Sequence, residues 1–72
     1  MKPYGLVDRN IILNKSLSLE AKGIYGILMS LDGTDFELDE ICEYVSEGKA
    51  VVEKALNELV NHGFISFEKI IR

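Results

Sequence analysis

Four polar residues at helical spacing carry the chemistry most worth following in this chain: Lys49, Lys54, Asn57 and Asn61. On a wheel at about 100° per residue, Lys54, Asn57 and Asn61 share one face with Ala50, flanked by Lys49, Glu53 and Glu58. Val52, Ala55, Leu56, Leu59 and Val60 turn to the other side. An asparagine amide donates and accepts at once, which matches the edge of adenine; a lysine ammonium suits guanine or a phosphate. The same residues are also ordinary on the solvated side of any helix.

A second set is acidic: Asp39, Glu40, Glu43 and Glu47. From Asp32 to Glu53, eight carboxylates stand against Lys49 alone. One reading is a solvated face that keeps an apolar small protein in solution. The other is a surface that docks a basic protein partner through charge complementarity. For a nucleic acid the run is a handicap, because each phosphate left uncontacted forfeits its counterion release. Lys2 and Arg9 offer a basic arm of the kind that reaches a minor groove.

The remaining reactive groups read as structural. His62 precedes Gly63 at a helix C-terminus, where the partial negative charge favours a cation, so it is expected to cap. Cys42 has no second cysteine to pair with, and one histidine leaves no zinc set. It is expected to be a half-buried apolar residue in a chain suited to a reducing cytoplasm. No phosphate-cradling glycine loop or nucleophile motif is present, so the expectation is a binding module, not an enzyme, with no cofactor and no metal.

These groups need elements to hold them. Seventy-two residues make one domain, which buries only roughly 60% of its unfolded surface. The chain is 47% hydrophobic, 28% charged and carries a net charge of −4. No apolar run approaches the ~20 residues of a membrane span and no basic-then-apolar leader opens the chain, so neither membrane nor secretion is expected. Residues 1–15 read as an arm: Tyr4 to Val7 as a short strand, Asp8-Arg9-Asn10 as a turn, and Ile11 to Leu13 as apolar and in need of cover. Ser18 is a plausible N-cap for a helix to about Leu31, with Glu20 in its first turn. Ala21, Ile24, Ile27, Leu28 and Leu31 form its inner face; Leu19, Lys22, Tyr25, Gly26, Met29 and Ser30 form a back that is only half polar. That back invites cover by the arm or by a second copy meeting at the Tyr25–Met29 side.

Asp32 to Asp35 is a turn signal, Phe36-Glu37-Leu38 a short strand, and Asp39 the cap of a helix over about Glu40 to Val45. Ser46-Glu47-Gly48 interrupts, and a longer helix follows from about Gly48 to His62, stopped by Gly63. Phe64 to Phe67 reads as a strand continued by Glu68 to Ile71, whose open edge would favour pairing with Tyr4 to Val7 or with another subunit. Short helix, tight turn and longer helix make a helix-turn-helix, whose second helix enters the major groove in proteins that bind DNA.

LSLEAKGIYGILMSLDG followed by EGKAVVEKALNELVNHGFI resembles the winged helix-turn-helix domain at the N-terminus of phage replisome-organiser and plasmid replication-initiation proteins. The likeness covers about Ile12 to Phe67 and is most specific at Leu17 to Gly23, at Asp32-Gly33, and at Leu56 to Leu59 with Gly63-Phe64-Ile65. It implies a DNA-contacting helix between Lys49 and His62 and origin or operator DNA as target; the family's full wing hairpin has no counterpart after Phe67, so the expected fold is a mostly α domain with a small β-sheet and a reduced wing. A homodimer would suit a palindromic site, since two-fold protein symmetry matches two half-sites.

Overall fold

The computed structural model describes residues 4–31, 35–66, 68 and 70, together with the backbone of residue 71. In chain order the elements are α1 (Arg9–Ile12), α2 (Leu19–Ser30), β1 (Phe36–Glu37), α3 (Leu38–Glu43), α4 (Lys49–Asn61) and β2 (Ile70–Ile71). The domain is mostly helical, and among the described residues its strand content is one two-residue pairing.

Helix α2 forms where the capping signals place it. Ser18 sits in extended backbone and its Oγ accepts from the Ala21 N–H at 3.1 Å, while Glu20 occupies the first turn beside the positive end of the dipole. Ala21, Ile24, Tyr25 and Leu28 are buried along it. Helix α4 buries Val52, Ala55, Leu56 and Leu59, and these two stripes make the largest helix–helix contact of the molecule. Leu38 and Ile41 of α3 and Phe36 and Ile70 of the strands complete the core. The four-residue bonding of α4 ends at His62; Gly63, with φ of +76°, donates to the Val60 carbonyl and lets the Phe64 N–H reach the Leu59 carbonyl at 3.0 Å.

Several expectations change. Tyr4 to Val7 is not a strand; it is exposed and passes the end of α2 so closely that a Cβ on Gly5 would lie 2.6 Å from the Met29 carbonyl oxygen. Asp8-Arg9-Asn10 does not simply turn: Asp8 caps α1, its Oδ1 accepting from the Asn10 N–H. Arg9 therefore belongs to a helical turn and not to an extended arm, while Lys2 lies outside the described residues. Tyr25 is buried, because its hydroxyl accepts the Asp8 N–H at 2.8 Å and ties α1 down across α2. Tyr25 is buried and Met29 half-buried, so the arm takes up part of the cover that the Tyr25–Met29 side invites.

Asp39 does not cap α3. The helix begins earlier, at Leu38, with Glu37 in the cap position and no side-chain bond there; burial of Leu38 outweighs the capping preference. The turn signal at Asp32 to Thr34 lies outside the described residues. Residues 64–66 are not a strand, and Phe67 and Lys69 lie outside the described residues. The pairing occurs further on and is parallel, Phe36 opposite Ile70 and Glu37 opposite Ile71. Phe64 and Ile65 instead pack half-buried against the core.

Candidate nucleic-acid interface

Helix α4 presents the candidate face because its other side is committed to the core. Val52, Leu56 and Leu59 are essentially inaccessible. The wheel therefore turns Lys49, Lys54, Asn57 and Asn61 outward, and all four are exposed. Ala50, Lys54, Asn57, Asn61 and His62 line a shallow surface flanked by Glu53 and Glu58. All of these residues come from α4 and its C-cap, so no second element encloses a ligand there. Asn57 and Asn61 stand one turn apart, about 6 Å along the axis. That is close to two base steps of ~3.4 Å. Gly48 opens the helix in extended backbone without a side-chain cap, which leaves the positive end of the dipole to whatever anion approaches Lys49.

Glu58 is the one carboxylate of this helix with a defined task elsewhere. Its Oε2 accepts the Ser18 N–H at 2.6 Å and its Oε1 accepts the Ser18 hydroxyl at 2.9 Å. These two bonds hold its carboxyl below the ordinary 4.5, with smaller help from His62 and Lys54 against a small desolvation cost. The arrangement completes a capping box from a distance. A glutamate three residues after the cap usually receives the cap N–H; here that position is Ala21, and Glu58 of α4 supplies the carboxylate. Sequence reasoning placed Glu58 only at the flank of the outer face. The missing acid at Ala21 was the signal that a partner had to come from elsewhere.

His62 caps as expected. Its Nδ1 lies 2.9 Å from the Glu58 carbonyl oxygen, which can only accept, so Nδ1–H donates. The ring stacks on Phe64 at 5.8 Å between centroids. Cys42 is half-buried.

The acidic set is split by its surroundings. Asp39, Glu43 and Glu47 are exposed, whereas Glu40 is half-buried. Asp39 and Glu40 sit in the first turn of α3, where the dipole welcomes them. Glu43 closes the helix at its negative end with no basic residue in that turn, a placement that helix electrostatics disfavours. Among the described residues no cluster of histidine, cysteine and carboxylates is disposed to hold a metal ion, and no helix is long and apolar enough to cross a membrane.

Comparison of the chain with protein-family models, with curated proteins and with solved structures returns no match.

Proposed function

We propose that this domain is a reduced winged helix-turn-helix-like module that binds double-stranded DNA through α4, in replication or transcription control of a phage, plasmid or mobile element. The observation that carries the reading is the common exposure of Lys49, Lys54, Asn57 and Asn61 on one open helix face. Two amides one turn apart suit adenine edges, and the lysines suit phosphate or guanine. The element order supports it: α3, a five-residue link and α4 follow one another, with the β1–β2 pair beside them. Phosphate contacts are few, so affinity for one copy is low. Two copies on a two-fold site would double them, and a homodimer on DNA is part of the proposal. The reading is of a binding module without cofactor, acting in the cytoplasm, and not of an enzyme.

The test is a titration of labelled random duplex from ~50 to ~200 mM salt. Binding at the low end, weakening steeply with salt and lost in Lys49→Ala/Lys54→Ala, supports the proposal. No binding at the low end ends it.

A second reading rests on the position of Glu43. An exposed acid at the wrong end of a helix, continued by Asp39, Glu40 and Glu47, suits a basic protein partner. Here the domain is an accessory or inhibitor module that keeps the fold without DNA affinity. Asp39→Lys/Glu43→Lys separates the two: it strengthens duplex binding under the first reading and abolishes capture of a basic protein under the second.

A further inference from the structure

The outer face of α2 holds a groove apart from the DNA-facing side of α4, and its rim shares Glu40 and Glu47 with the acidic set of the second reading, which this inference deepens. Two adjoining concavities of ≈390 and ≈790 Å³ meet at Gly23 and Ile27. One is walled by Leu19, Val45 and Val51, the other by Tyr44 and Val7. Large apolar side chains stand open along it: Leu19 is 85% exposed and Tyr44 57%. A concavity lined mostly by apolar side chains is the shape of a binding site.

Two features identify the occupant. The first is charge. Every charged side chain lining the groove is a carboxylate, namely Glu20 and Glu47 at one end and Glu40 at the other. Another copy of this chain would bring the same acids against them, so a cationic flank is required. The second is the floor. Gly23 and Gly26 lie in mid-helix, where glycine costs stability relative to alanine. A Cβ at either would meet nothing within 4 Å, so the fold itself does not demand them. Bare backbone along this stretch lets another helix approach closely. The twelve residues of α2 run for about 18 Å, the length of three to four helical turns.

We propose that this groove docks an amphipathic helix of a partner protein, with an apolar stripe seated on Gly23, Gly26 and Ile27 and Lys or Arg side chains meeting Glu20, Glu40 and Glu47. The mode is helix-in-groove recognition. The groove touches α4 only at Val51 and Val52 and leaves the outward face of Lys54, Asn57 and Asn61 free.

The probe is a synthetic helical peptide of ~14 residues, leucines at i, i+3, i+4 and i+7 and lysines elsewhere, titrated into the ¹⁵N-labelled protein. The expected result is saturable one-to-one binding with amide shifts at Gly23, Gly26, Ile27 and Val45. Gly23→Leu, and separately Glu40→Lys/Glu47→Lys, should each weaken it at least ~tenfold. Gly23→Ala, which favours the helix, gives the same reading should the leucine variant not fold. Absent saturation overturns the proposal. So do equal binding of a leucine–glutamate peptide, shifts confined to Asp39 and Glu43, or self-association through this face by light scattering.

Discussion

Ser18 acts in two directions at once. Its Oγ accepts from Ala21 to start α2, and its N–H and O–H reach Glu58 on α4. Ser18→Ala removes the cap and one of the two Glu58 bonds, and should cost about 1 kcal/mol or more. For a domain of this size that is a fall in melting temperature of about 4–8 °C per kcal/mol. A change within the ~0.5 kcal/mol of ordinary surface substitutions would contradict this role. Glu58 makes the clamp sensitive to pH. Its folded pKa is depressed, so the unfolded chain takes the proton first as pH falls. The clamp's contribution is complete above the ordinary 4.5 and is lost on the acid side as pH drops from there through the folded value. The melting-temperature gap between the wild type and Glu58→Gln should therefore shrink between neutral pH and about pH 3. A constant gap would remove the clamp from the account.

At the scale of elements, α2 and α4 were legible because each carries its own periodicity and its own stop. Ser18 and Gly63 sit where the sequence signals place them, and α4 differs from its expected span only at its two ends. Gly63→Ala tests the stop. Nothing crowds its Cβ, so the cost is that of the left-handed backbone alone, about 1 kcal/mol. No loss in a thermal melt would mean that the end of α4 does not depend on Gly63. The short elements were not legible, since two- to six-residue pieces are decided by tertiary contacts. Leu38 entered a helix because the core needed it, and Ile70 paired with Phe36 across 34 positions that no local pattern links. The back of α2 was read in part: its half-polar composition called for cover, and the arm supplies it through Asp8, Ile11 and Ile12, but the pattern did not say that Tyr25 would turn inward to meet Asp8.

For the molecule as a whole, one small core carries everything. A chain of 72 residues has a stability of roughly 4–11 kcal/mol. Leu59 is completely buried between the two principal helices, and Leu59→Ala should remove about 2–5 kcal/mol, a large share of the total. Circular dichroism should show a melt shifted by many degrees; a shift of only one or two would place the core elsewhere. The four outward residues of α4 were read correctly from spacing because burial of Val52, Ala55, Leu56 and Leu59 fixes the helix rotation. The groove on α2 was not read, because its floor is made of glycines and its walls come from separate elements. Charge is uneven over the surface: α3 carries carboxylates and no base, while Lys49 and Lys54 share α4 with the asparagines and with Glu53 and Glu58. The central claim is that α4 is the surface a duplex meets. Amide shift mapping of the ¹⁵N-labelled domain with random duplex DNA at ~50 mM salt tests it most directly. The account predicts shifts centred on Lys49, Lys54, Asn57 and Asn61; shifts centred on another face, or none, would contradict it.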